Sequence, residues 1–141
     1  MDCSYADWEA QSSRLFMVPQ RAHQAAQLLV VEDQADVRLM LVTVLRMEGY
    51  QVEQAANAAD GLRLLSSRHY DLVLTDYAMP GGTGAWMLRA AQKQGLLDET
   101  PAFVLTAHPE MALTDAGPFT VVGKPLDFDA FLAKVRRTLE H

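Results

Sequence analysis

The sequence predicts an α/β fold: one doubly wound parallel sheet of five strands, covered by five helices of which one is short. Three observations lead there. From residue 28 onward, apolar runs of strand length alternate with longer stretches of helical period, the order that forces parallel pairing through right-handed crossovers. The runs are apolar at consecutive positions, as in Leu28-Leu29-Val30-Val31 and Leu72-Val73-Leu74, which marks strands that are dry on both faces. Polar residues then stand at the ends of the runs: Glu32 and Asp33 after the first, Asp76 after the third, Thr106 after the fourth and Lys124 after the fifth. In an open α/β sheet, ligands bind at that edge.

Residues 1–26 show no sustained period, with Trp8, Leu15, Phe16 and Met17 scattered among polar residues, and are read as a tail before a domain at 27–139. Met17 lies nearer the folded region than Met1 and competes with it as a start. The first strand is predicted at 28–31. The helix after it turns Val37, Met40, Leu41, Val44 and Leu45 toward the sheet and ends at Gly49, a left-handed stop. Residues 51–55 form the second strand and 58–67 the second helix, with Leu62, Leu64 and Leu65 inward. The third strand, 72–75, delivers Asp76 to a Pro/Gly-rich turn, and a third helix follows over 84–94. Pro101, tolerated just before a strand, introduces the fourth strand at 102–105. The fourth helix is shortened to a turn or two between Glu110 and Asp115, before Gly117-Pro118 stops it. Residues 119–122 make the fifth strand, and Asp127 caps a last helix whose Phe128, Phe131, Leu132, Val135 and Leu139 face the sheet. Glu140 and His141 resemble the start of an expression tag and carry no functional weight.

Composition narrows the function classes. Half of the 141 residues are apolar and 21% are charged, the balance of one globular domain. Twelve basic against eighteen acidic residues give a net charge of −6, so the surface as a whole has no electrostatic basis for binding nucleic acid or anionic lipid. Cys3 is the only cysteine, which excludes an internal disulfide and a multi-cysteine zinc site and fits a reducing cytoplasm. No apolar run reaches the roughly 20 residues that span a bilayer, and the N-terminus lacks the pattern of a signal peptide.

Each polar strand end has a plain reading when taken alone. Glu32 and Asp33 suit a helix start, Thr106 a turn hydroxyl, Lys124-Pro125 a solvated loop, and Asp76 a turn acceptor. Parallel strands, however, bring all of them to one edge. Carboxylates gathered there repel one another unless a cation intervenes. Oxygen donors without cysteine or a close histidine pair suit a hard divalent ion, Mg²⁺ foremost. One carboxylate is then able to attack phosphorus and form an acyl phosphate. Phosphoryl transfer asks for charge and donors around the equatorial oxygens, which the Lys124 ammonium, the Thr106 hydroxyl and the Ala107 N–H would supply.

Residues 27–139 resemble the receiver domain of two-component response regulators. The matching motifs are Leu28-Leu29-Val30-Val31-Glu32-Asp33, Asp76-Tyr77-Ala78-Met79-Pro80 with Gly84 after it, Thr106-Ala107, and Lys124-Pro125. The resemblance implies a flavodoxin-like strand order 2-1-3-4-5, phosphorylation on Asp76, and Mg²⁺ held by Glu32, Asp33, Asp76 and the Ala78 carbonyl. It also implies a histidine kinase or histidine phosphotransfer protein as donor, a phosphoacceptor rather than an enzyme, and a cis peptide at Lys124-Pro125. Phosphoryl lifetime, by the same resemblance, is set around Ala78 and His108.

Two features depart from that family. Val121 stands where an aromatic switch residue is usual, and the stretch from Thr106 to Lys124 is several residues short. Phe119 is two positions earlier, on the same strand face by period, and would supply a ring or serve as core. Two rival readings remain: an interaction module that works without phosphorylation, and a flavodoxin-like cofactor binder using Gly81-Gly82-Thr83-Gly84 as a phosphate loop. No effector motif follows residue 139, which leaves a stand-alone receiver and a piece of a longer regulator or hybrid kinase as the two organisations.

Overall fold

Leu28, Leu29, Val30 and Val31 are wholly excluded from solvent, as are Leu72, Val73 and Leu74. Consecutive burial of that kind needs helices on both faces of a strand. The structure is a computed structural model that describes residues 26–79, 81–110 and 119–140. Its strands β1 (Gln27–Val31), β2 (Gln51–Ala55), β3 (Leu72–Asp76), β4 (Ala102–Thr106) and β5 (Thr120–Gly123) are parallel and lie in the order β2-β1-β3-β4-β5. Helices α1 (Ala35–Met47), α2 (Ala58–Ser67), α3 (Gly84–Lys93) and α4 (Phe128–Leu139) complete the described elements.

The side-chain period of two splits the core into halves. Leu28, Val30, Leu72, Leu74, Phe103 and Leu105 point to one face, where Leu41, Val42 and Leu45 of α1 and Phe131 and Val135 of α4 cover them. Leu29, Val31, Val73 and Val104 point to the other, under Leu65 of α2 and Met87, Leu88 and Ala91 of α3. Burial is uneven across the sheet. The central strands β1 and β3 are dry at nearly every position, whereas Thr120 to Gly123 of the edge strand β5 are only half-buried or exposed.

The elements fall where the sequence predicts them, with shifts of one residue at several ends. Gly49 stops α1 with φ of 99°, a conformation that favours glycine, and the Asp127 side chain accepts from the Ala130 N–H at the start of α4. One expectation is corrected. Met40, predicted to face the sheet, is 47% exposed, while Val42 is buried in its place. The buried residues of α1 are Leu41, Val42 and Leu45, so its inward stripe is turned toward Val42 and the helix packs on β1 and β2, with half-buried Arg38 one turn before Val42. Of the predicted short helix, Glu110 is helical, as is Pro109 just before it. Its remaining residues, Pro80, His141 and the predicted tail other than Ala26 lie outside the described residues.

Candidate functional site

Register brings the polar strand ends together. Val31 pairs with Thr75 across β1 and β3, so the next residues, Glu32 and Asp76, emerge side by side. Asp76 pairs with Leu105, and the Lys124 N–H continues the ladder by donating to the Thr106 carbonyl at 2.7 Å. Glu32, Asp33 and Asp76 each place one carboxylate oxygen so that all three lie within 4.8 Å of one another. Lys124 Nζ donates to Asp76 Oδ1 at 2.5 Å and stands 3.8 Å from Glu32 Oε1. Asp76 itself is buried, 8% exposed, because β3 runs one residue further than predicted and carries it inside the ladder.

The backbone under Asp76 is held from two sides. The Thr75 hydroxyl donates to the Asp76 carbonyl at 3.0 Å, and the Gly84 N–H donates to the Tyr77 carbonyl at 2.8 Å. A Cβ on residue 84 would overlap the Asp76 carbonyl oxygen and stand 2.7 Å from Thr75 Oγ1, so the start of α3 reaches the end of β3 only because residue 84 is glycine. Gly81 and Gly82, with φ of 84° and 146°, form the turn between them, and the Thr83 side chain is spent capping α3 by accepting from the Trp86 N–H at 3.0 Å.

Glu32 is the electrostatic focus. Its side chain is buried, Oε2 accepts from the Gln34 N–H at 3.1 Å, and Oε1 is the only buried side-chain polar atom without a hydrogen bond among the described residues. Burial pushes its carboxyl above the ordinary value of 4.5; the Asp76 charge and a hydrogen bond with Asp33 add to this, while the Gln34 amide and Lys124 oppose it. A buried, unbonded carboxylate oxygen beside two further carboxylates is the donor set of a hard divalent cation. The site fits Mg²⁺ on its chemistry.

A pH dependence follows for the metal-free protein. The native Glu32 carboxyl keeps its proton to higher pH than the unfolded chain does, so its contribution to stability is greatest below 4.5 and falls as pH rises above that value. Glu32→Gln cannot ionise and escapes this fall. Its urea midpoint in EDTA is expected to exceed that of the wild type at pH 7, with the gap closing toward pH 4.5; a lower midpoint at pH 7 would contradict the assignment.

The remaining predicted residues line the same edge. Thr106 is buried, and its Oγ1 accepts from the His108 N–H at 3.0 Å, which uses a lone pair and not the hydroxyl proton. Ala107, His108 and Ala78 are exposed. The His108 side chain turns outward, its Nδ1 3.9 Å from Glu110. The Lys124–Pro125 bond is cis, as expected. Val121 and Phe119 both pack against the α2–α3 side of the core, in keeping with their common face. Sequence reasoning missed Arg38 and Thr75, whose side chains donate to the Glu32 and Asp76 carbonyls, and Gln54, whose side chain accepts from Arg38.

Comparison with known proteins finds one family and one fold. The Response regulator receiver domain family model matches residues 28–136. The transcriptional regulatory protein GlrR of Escherichia coli (strain K12) is 34% identical over 123 residues, 84% of this chain and 27% of that protein. Sporulation initiation phosphotransferase F of Bacillus subtilis (strain 168) is 32% identical over 117 residues, 79% of this chain and 92% of that protein. Among solved structures, the response regulator TrrA of Thermotoga maritima in complex with Mg²⁺-BeF superposes with a TM-score of 0.72 at 30% identity, covering 80% of this chain and 98% of that one. The chain thus spans about a quarter of GlrR and nearly all of the sporulation protein.

Proposed function

The chain belongs to the response regulator receiver domain family, a phosphoacceptor of two-component signalling, and from that membership we propose that Asp76 is its phosphoacceptor. The observation that carries this reading is the meeting of Asp76 with Glu32, Asp33 and Lys124 at one sheet edge. A free Asp76 Oδ attacks the phosphorus of the donor. A new O–P bond forms as the bond to the donor's imidazole nitrogen or acetate oxygen breaks, and that leaving group departs with the electron pair. Lys124 Nζ, now on Asp76 Oδ1, turns to a phosphoryl oxygen; the Thr106 hydroxyl and the Ala107 N–H take another. Mg²⁺, held by Glu32, Asp33, Asp76 and the Ala78 carbonyl, would add the positive charge that those oxygens require.

The donor in this reading is a histidine kinase or histidine phosphotransfer protein, and the setting the cytoplasm. The phosphorylated form switches binding to a downstream protein, with no role for nucleic acid or membrane; among the described residues no helix is long and apolar enough to cross one. The domain extends over 27–139, after a tail at 1–26 and before the two terminal residues 140–141. The test is intact-mass detection of one phosphoryl group after incubation with acetyl phosphate and Mg²⁺. No mass gain under conditions that load a known receiver would refute the proposal.

Self-dephosphorylation is expected to be slow. Hydrolysis needs a water in line with phosphorus, and the Ala78 methyl offers that water no hydrogen bond. Ala78→Asn is expected to shorten the lifetime of the acyl phosphate several-fold, on the order of one added hydrogen bond, measured by loss of the phosphorylated mass. Slower decay in the variant would argue against this.

A further inference from the structure

Both main-chain groups of Glu32 are tied toward β2, an edge strand that contributes no side chain to the acid cluster. The Glu32 N–H donates to the Ala55 carbonyl at 3.0 Å. The Glu32 carbonyl accepts from Arg38 Nη1 at 2.7 Å, and Nε of the same guanidinium donates to Gln54 Oε1 at 3.0 Å. That carbonyl belongs to the planar peptide unit joining Glu32 to Asp33. A donor fixed on its oxygen therefore orients the backbone from which both carboxylates leave. The guanidinium is a rigid fork, so anchoring one prong on Gln54 aims the other.

We propose that Arg38, aimed by Gln54, is a positioning residue that sets Glu32 and Asp33 to receive the divalent cation; this rests on the metal reading above. Among the described residues Arg38 bonds to no carboxylate of the cluster and acts through the main chain alone. Helix α1 also supplies an internal control. Arg46 Nη2 donates to the Val52 carbonyl at 2.8 Å, a bond of the same kind between α1 and β2 at the end of both elements remote from the acids.

The test compares the full chain with Arg38→Met, Arg38→Lys, Gln54→Ala and Arg46→Met. Three readouts are used: calorimetric Mg²⁺ titration, the urea midpoint, and hydrogen exchange of metal-free protein over residues 31–36. Partners that orient metal ligands commonly change affinity by about ten-fold when removed. Arg38→Met is expected to weaken Mg²⁺ binding by that factor and to lose protection over 31–36. Gln54→Ala is expected to shift both in the same direction by less, and Arg38→Lys to fall between wild type and Arg38→Met. Arg46→Met should lower the urea midpoint and leave Mg²⁺ affinity and 31–36 protection unchanged. Wild-type affinity in both Arg38→Met and Gln54→Ala would overturn the proposal while the metal site stands, and so would equal weakening by Arg46→Met. A wild-type chain that binds no Mg²⁺ would overturn the metal reading and the proposal with it.

Discussion

Asp76→Asn is expected to accept no phosphoryl group from acetyl phosphate. An amide oxygen is a poor nucleophile, and no other carboxylate of the cluster is a ready substitute. Glu32 is buried, with Oε2 engaged by the Gln34 amide, and Asp33 leaves the chain from the adjoining β1 side. The variant also removes one negative charge from three clustered carboxylates, so its Mg²⁺ affinity falls while its metal-free fold persists. Intact-mass analysis reads the first effect and calorimetry the second. Phosphoryl gain equal to the wild type would place the nucleophile elsewhere.

Lys124→Ala is expected to separate metal binding from chemistry. The ammonium stands 2.5 Å from Asp76 Oδ1 and 3.8 Å from Glu32 Oε1, where a bound cation would compete with it. Without it, Mg²⁺ should bind at least as tightly as in the wild type. Phosphorylation should nevertheless slow by about 10²–10³-fold, the usual loss when a preorganised charge on the transferring group is removed. In the absence of metal the variant leaves the acids without their partner, at a cost on the order of 2 kcal/mol for this partly exposed pair. Weaker Mg²⁺ binding together with unimpaired phosphorylation would refute the assigned role.

Most of the fold, and the acids and lysine that the structure gathers at one sheet edge, were legible in the sequence for a physical reason. Strands buried on both faces read as unbroken apolar runs, and the first polar residue after each run marks the functional edge, so Glu32, Asp76, Thr106 and Lys124 announce themselves. Helix faces were less legible. In α1, Met40 and Val42 are both apolar and compete for the inward stripe. Val42 is the one buried, with Leu41 and Leu45, and one turn before it stands half-buried Arg38, which an apolar count penalises. Arg38 is inward because its side chain leans toward the helix N-terminus and ends on the Glu32 carbonyl. One signal for it was available: a basic residue in the second turn, on the stripe of Val42 and Leu45. Gln54 gave none, since an amide on an exposed edge strand looks like any solvated residue. Thr75 was hidden by its own burial in a run otherwise composed of Leu and Val.

The uneven burial of the sheet gives the site a stiff jaw and a yielding one. Glu32, Asp33 and Asp76 leave from β1 and β3, strands gripped on both sides and dry at every position but Gln27, whereas Lys124 leaves from β5, which has one neighbour and a half-wet surface. A pull between Lys124 and a new anion is then answered unequally. β5 is the less tightly held of the two sides, and its Val122, with Leu126 beyond it, packs on the side of the domain covered by α4. With valine at 121, a loosely held edge strand is a route by which a response at Lys124 would need no aromatic lever.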